Sequence, residues 1–353
     1  GAAMADSPGV SEAPTLEITG SRSLPAWLET QGVSLAFTTY QAGKLFFVGS
    51  QNNGRLSIFE RTFARSMGLW ANDQTMWMSS LYQLWRFENA LDPGSVHDGY
   101  DRLYVPRVGY TTGDVDAHDV VVEDSGRVLF VSTMLNCIAT LSETRSLKPV
   151  WKPPFISKII PEDRCHLNGL ATRDGEARYA TSVSRTDVID GWREHRRDGG
   201  CVIDITTNEI VATGLSMPHS PRWHGGKLWL LNAGTGEFGF IGPDSGKFEP
   251  VAFCPGFLRG LAFHGDYAVV GMSGPRHDGT FSGLELEERL AKLEVSGRCG
   301  LQIIDLKTGA VAHWLNIEGI VTELYDVAVL SGTRRPMALG FKTKEIEHLL
   351  ALE

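Results

Sequence analysis

One pattern recurs along this chain: a polar strand start, an apolar strand, a tight glycine turn, and a second apolar strand ending in Ser or Thr. It is clearest in "AHDVVVEDSGRVLFVST" (117–133) and "HLNGLATRDGEARYATS" (166–182), which superimpose when Ser125-Gly126 is set over Asp174-Gly175. "PHSPRWHGGKLWLLNAG" (218–234) and "LRGLAFHGDYAVVGMSG" (258–274) repeat it. "RSMGLWANDQTMWMSS" (65–80) and "LYDVAVLSGTRRPMALGF" (324–341) are weaker copies, and "VSLAFTTYQAGKLFFVGS" (33–50) makes a seventh. Hairpins of a second kind lie between copies, as in "CVIDITTNEIVATG" (201–214) and "LQIIDLKTGAVAHWL" (301–315), with an Asp at or just before a tight turn. Two hairpins make one four-stranded unit, and a period of roughly 40 to 50 residues with four strands per repeat is the signature of a β-propeller.

The expected fold class is therefore all-β. The copies favour seven blades, while the irregular first two admit six. The last copy has no second hairpin after it, so "PTLEITG" (14–20) is expected to supply its outer strand and close the ring. Residues 1–13, beginning with a scar-like "GAAM", read as a disordered leader. Residues 14–342 read as one propeller domain, and 343–353 as a surface helix with Ile346, Leu349 and Leu350 on one face.

Composition narrows the function classes. The chain has 353 residues, 42% of them hydrophobic, enough to bury a large core. No window approaches the roughly 18 apolar residues of a membrane span, and no basic-then-apolar leader is present, so a cytoplasmic protein without membrane partners is expected. A net charge of −9 with no basic block beyond "REHRR" (193–197) disfavours nucleic acid. Cys137, Cys165, Cys201, Cys254 and Cys299 are odd in number and widely spaced, as expected of buried reduced thiols.

In a propeller the innermost strands all start on one face, where the connections between second and third strands also emerge. The long connections 182–200 and 273–298 belong to that class, and 88–101 is assigned to it. They carry Trp192, Arg193, His195, Arg276, His277 and an amphipathic helix with Leu286, Leu290 and Leu293, read as a partial lid over the channel. The polar strand starts then form a ring at the channel mouth: Asp119, Asn168, His219, Arg259 and Asp326, with His118, His166 and Tyr325 beside them. Strand alternation allows only one member of each adjacent pair to point inward, and Asp119, Asn168, His219 and Arg259 are the expected set.

Two chemistries fit. Imidazoles with a carboxylate or amide oxygen hold a divalent metal ion, with Asn168, His219, His118 and His166 as ligands. Alternatively, His219 acts as general base near Asp119 while Arg259 binds an anionic group. Trp192, Arg193, Tyr325 and Asp326 are the expected substrate contacts. A channel also needs polar walls simply because water fills it, so a polar ring suits a pure scaffold too.

"HLNGLATRDGEARYATS" resembles a blade of the gluconolactonase and senescence-marker lactonases, in which an "NGL" strand start supplies a metal-binding Asn; the resemblance implies that role for Asn168. Where that family places an Asp, this chain has His219, which implies a nitrogen-containing site rather than a calcium-type one. The His-rich rim is similar to that of the peptidyl-amidating lyases. Over its whole length the chain resembles a bacterial family of propeller-like hypothetical proteins, which implies the fold and no activity. The expected function is a metal-assisted hydrolase or lyase acting on a small polar or modified-peptide substrate. The rival is a non-enzymatic propeller that docks a peptide or partner protein through Trp192 and the apolar side of helix 284–293.

Overall fold

The computed structural model describes residues 15–274 and 282–353, in which the strands form six sheets arranged as blades around one axis. Blades 2 to 5 follow the sequence in order. Their innermost strands are Leu69–Ala71, Ala117–Val122, Leu167–Arg173 and Pro218–His224, and blade 6 begins with Phe257–His264. Each is followed outward by three antiparallel strands.

The seventh copy disappears because the first and last copies are the same blade. Val327–Ser331 pairs antiparallel with Val33–Thr39, so the C-terminal strand is the innermost of blade 1 and Lys44–Ser50 and Leu56–Thr62 lie outside it. The rest of the last copy does not return as its hairpin. Pro336–Ala338 instead pairs parallel with the outer strand of blade 2 at Arg102–Tyr104.

The N-terminal strand goes elsewhere than expected. Leu16–Gly20 pairs with Val311–Gly319 as a fifth, outermost strand of blade 6. The helix Leu24–Gln31 then buries Leu24, Trp27 and Leu28 between blades 6 and 1, against Leu35, Phe37, Val269 and Leu301. Gly32 ends it in the left-handed region at φ 66°. Ring closure therefore joins three N-terminal strands to one C-terminal strand within a single sheet. The expected C-terminal helix shrinks to Glu345–His348; Ile346 and Leu349 pack on Leu103 and Met337, while Leu350 is exposed.

Apolar clusters fill the seams between blades, as in the packing of Val121 and Leu129 from blade 3 against Leu170 and Ala180 from blade 4. Nearer the axis, polar side chains tie each blade to the backbone of the next. Thr38 Oγ1 donates to the Met67 carbonyl and Ser79 Oγ to that of Ala117. Thr133 Oγ1 reaches Leu167, Asn168 Nδ2 reaches Pro218, and Ser273 Oγ reaches Leu324. Ser220 Oγ accepts from Gly260 N at 2.9 Å. These bonds run through every junction of the ring. Close approach at such junctions explains two glycines. A Cβ on Gly169 would lie 2.3 Å from Pro221 Cδ, and one on Gly260, at φ 93°, would lie 2.9 Å from Val327 N.

The topology makes a direct prediction. A chain ending at residue 326 lacks the innermost strand of blade 1 and should lose cooperative thermal unfolding, whereas one ending at residue 343 should keep it. Circular-dichroism melts of the two truncations check this; equal cooperativity would contradict the closure described here.

Candidate functional site at the channel mouth

The innermost strands of blades 3, 4, 5 and 6 share a local irregularity. Pairing with the second strand slips between Ala117 and Val120, Leu167 and Gly169, His219 and Arg222, and Leu258 and Leu261. A bulge of this kind breaks strict alternation and re-aims side chains. Adjacent residues can therefore share the channel: His118 with Asp119 and His219 with Ser220 line one small central cavity of about 10 Å³, together with Asn168, Arg222, Arg259 and, from the loop before the inner strand of blade 1, Tyr325 and Asp326. That volume suits about one water molecule. The residues just before the inner strands of blades 3, 4 and 5, Asp116, His166 and Met217, all take positive φ (52°, 58° and 48°). This is a conformation disfavoured for non-glycine residues, and such strain gathers at functional sites.

The lower tier is structural. Arg222, which sequence reasoning missed, lies on the axis and donates from both terminal nitrogens to Asp119 (2.8 and 3.3 Å), with Asp326 Oδ1 at 3.5 Å. Its Nε donates to the Leu261 carbonyl at 3.0 Å. The carboxylates reach onward: Asp119 accepts from Leu170 N (3.1 Å) and Asp326 from Leu69 N (2.7 Å). One guanidinium thus links blades 1, 3, 5 and 6, and through the carboxylates blades 2 and 4. Asn168 is fully engaged as well, donating to Pro218 O and accepting from Thr181 Oγ1 at 2.6 Å. Asp119, expected beside the general base, Asn168, expected as a metal ligand, and Asp326, expected as a substrate contact, each hold protein groups here.

The upper tier contains three imidazoles. His118 Nδ1 lies 2.7 Å from Thr133 Oγ1 and 3.2 Å from Asp116 Oδ1. His166 Nδ1 lies 2.6 Å from Asp163 Oδ2, and His219 Nδ1 lies 2.8 Å from Met217 O. The His118 and His166 rings meet edge to face at 5.3 Å. Tyr325 stacks on Tyr40 at 5.4 Å, and the Arg259 guanidinium lies 4.7 Å from the Tyr325 ring, with Glu323 at 3.5 Å from Nη1. Among the described residues, His219 Nε2, the Tyr325 hydroxyl, Arg259 Nε, Trp192 Nε1 and Asp163 Oδ1 are buried atoms with no protein hydrogen-bond partner.

Burial and charge set the ionisation. Burial, with Arg259 adding to it, pushes His219 well below the usual imidazole range, so its ring is neutral at pH 7. Burial, reinforced by Asp116, pushes Tyr325 well above the phenol range and keeps its proton on. Burial works against Asp116, yet the His118 imidazole, with His166 and Arg259 behind it, holds that carboxyl down at about 2. In the lower tier, burial together with the neighbouring Asp119 charge pushes Asp326 up to about 7 despite Arg222.

The insertions form a roof, though not quite the expected one. Trp192 sits in the 3₁₀ turn Gly191–His195, only 4% exposed, its ring 4.2 Å from His166. Arg193 lies outside, stacked on Trp192 at 4.4 Å, and His195 is exposed. Helix Glu285–Lys292 turns Leu286 inward, and Arg196 and Arg197 tie the blade 4 insertion to the backbone of Ser282 and Gly283. Of the surface expected to dock a partner, Trp192 and Leu286 are buried and Leu290 is half-buried, while Leu293 is exposed. Connection 88–101 joins third and fourth strands, so it emerges on the opposite face. Arg276 and His277 lie outside the described residues.

With this geometry in view, sequence comparison gives a family. Residues 22–339 match the family described as "Domain of unknown function (DUF4915)". The chain belongs to that family. No curated protein matches it. Among solved structures it is similar to a chain of a nidogen/laminin complex, at 12% identity and TM-score 0.52, over 85% of this chain and 99% of that one. It is also similar to the virginiamycin B lyase of Staphylococcus aureus, at 13% identity and TM-score 0.40, over 73% and 96% of the two chains. For a luciferin-regenerating enzyme the values are 12% identity and TM-score 0.43, over 93% and 100%. These likenesses are of fold; chemistry has to be argued from the residues of this DUF4915 chain.

Two predictions concern the lower tier. Arg222→Met strands two buried carboxylates and should cost about 3–5 kcal/mol in denaturant unfolding, as for other broken buried ion pairs. Asp326 has a raised folded-state pKa, so its contribution is fully present below about pH 4 and lost as pH rises toward 7. Asp326→Asn should remove that decline, read as unfolding midpoints that no longer fall between pH 4.5 and 7.

Proposed function

We propose that the channel mouth is the active site of an enzyme that acts on a small polar or modified-peptide substrate by hydrolysis or elimination. The observation that carries this reading is that His219, Tyr325 and Arg259 line one cavity, with His219 Nε2, the Tyr325 hydroxyl and Arg259 Nε all lacking hydrogen-bond partners among the described residues. Buried polar atoms are normally satisfied, so a set of unsatisfied ones in one place implies a ligand.

Each has a distinct role. His219 Nδ1 faces a carbonyl and must carry the ring proton, which leaves the Nε2 lone pair toward the cavity to activate water or substrate. Tyr325 keeps its proton and supplies it to a developing oxyanion or leaving group. Arg259 stabilises negative charge as it forms. Trp192, buried against His166, closes part of the mouth from the insertion side.

Chromogenic ester, lactone and phosphoester probes, with amide and elimination substrates, would find the activity. Whatever turnover is found should fall roughly 10²- to 10⁴-fold in His219→Asn, and Tyr325→Phe should lose a comparable factor. Arg259→Gln is expected to lower kcat/KM in the same range. Unchanged turnover in His219→Asn and Tyr325→Phe, with melting temperatures matching the parent, would overturn the reading.

A further inference from the structure

We propose that the cleft between blades 1 and 2, on the face opposite the mouth, binds a small organic anion carrying one carboxylate or phosphate group, held by Arg334, Arg335 and Ser50. The site is separate from the mouth and does not depend on the function proposed there.

Three chain segments build the cleft. The turn between the third and fourth strands of blade 1 supplies Ser50 and Asn52, connection 88–101 of blade 2 supplies Val96 and Asp101, and the segment after Val327–Ser331 supplies Arg334 and Arg335. Its volume is about 470 Å³, within the roughly 300–1,000 Å³ of small-molecule sites.

Hydrogen bonds fix the arginine segment. The Arg334 carbonyl accepts from Ser50 N at 2.9 Å. The Asp101 carboxylate accepts from Thr333 Oγ1 at 2.5 Å and from the backbone N–H groups of Arg334 and Arg335 at 2.9 and 3.0 Å. Burial opposes its charge, yet these bonds hold the Asp101 carboxyl below the usual carboxylate range, so it stays ionised. That carboxylate is therefore occupied in holding two consecutive arginines in place. Arg335 is fixed along its side chain as well. Its Nε donates to Ser57 Oγ at 3.2 Å and its Nη1 to the Gly99 carbonyl at 3.1 Å, while the guanidinium lies 4.5 Å from the centre of the Tyr100 ring. A guanidinium held in this way loses little freedom on meeting an oxyanion.

The unmet polar groups define the ligand. Ser50 is 2% exposed, and its hydroxyl, like Arg334 Nε, is buried without a hydrogen-bond partner among the described residues. A guanidinium N–H can only donate and a hydroxyl can donate, so the partner both lack is an acceptor. Arg334 Nη2 meets Glu29 at 3.1 Å in an exposed pair, which leaves Nε unmet. Two guanidiniums line the cleft against one carboxylate whose oxygens are already taken, which favours an anionic acceptor over a neutral one. Asn52 on the exposed turn and Val96, 66% exposed, offer polar and apolar contacts to the rest of an organic molecule.

The test titrates the full chain at low ionic strength with glycerol 3-phosphate, glycerate and, as the uncharged control, glycerol, read by calorimetry. One-to-one binding of at least one anion is expected, weakened by salt, with glycerol inert; the tighter of the two names the oxyanion. Arg334→Gln and Arg335→Gln should each weaken binding roughly 10-fold or more. Asn52→Asp, which adds an opposing charge on an exposed turn and leaves the core alone, should weaken it several-fold. Ser50→Ala should also weaken it several-fold while leaving the melting temperature of the ligand-free chain unchanged, because the hydroxyl makes no bond there; a structural hydroxyl would lower it. His219→Asn should leave binding unchanged. No saturable binding, glycerol held as tightly as the anions, or binding kept in Arg334→Gln, Arg335→Gln and Asn52→Asp would overturn the proposal. Loss of binding in His219→Asn would overturn it too, since the anion would then sit at the mouth.

Discussion

Six blades meeting at one axis bring their strand starts, with backbone groups and polar side chains, into a space too small for bulk water. The Arg222 guanidinium answers that constraint. It is one cation with five N–H donors, set between two carboxylates and the carbonyls of neighbouring strands, and each carboxylate passes the connection to a backbone N–H of a further blade. The cost of burying this charge is offset by saturating it with partners, as buried ion groups require. Arg222 also lines the small cavity at the mouth, so the group that ties the blades together borders the candidate site.

This arrangement separates two kinds of polar residue. Asp119, Asn168, Ser220 and Asp326 are turned toward neighbouring blades and hold the ring together. His118, His166, His219, Tyr325 and Arg259 lie around the mouth with one side of each fixed by the protein, and His219, Tyr325 and Arg259 retain buried atoms without partners among the described residues. A scaffold alone explains the first group and leaves the second without a reason. Strained backbone at Asp116, His166 and Met217, repeated in three successive blades, fits a site whose geometry is held against local preference.

The repeat, the all-β class and the single face bearing the insertions at 182–200 and 273–298 were legible from hairpin signals and spacing alone. The blade count was less so, because a strand pattern does not say with which partner it pairs. The copies at 33–50 and 324–341 look like two blades and are one, since the chain ends meet in a single sheet. Among the mouth residues, His118 and His166 stood with the expected ligands but outside the set expected to face inward, Asp119, Asn168, His219 and Arg259. The alternation rule permitted one inward residue of each pair, and the bulges that admit both are a matter of pairing register, which leaves no local signature. Arg222, four residues into its strand and followed by Trp223, reads as an ordinary outward-facing polar residue.

The sequence by itself determined that strands would pair in hairpins, that their starts would be polar, and that histidines would gather near one another, because turn chemistry and hydrophobic period are local properties. Only the tertiary structure decided that six blades close the ring, that a guanidinium occupies the axis, and that Nδ1 of each mouth imidazole meets a protein oxygen. Those outcomes depend on which distant groups meet across the axis, and hydrogen bonds between residues separated by some fifty to over a hundred positions have no expression in any short stretch of chain.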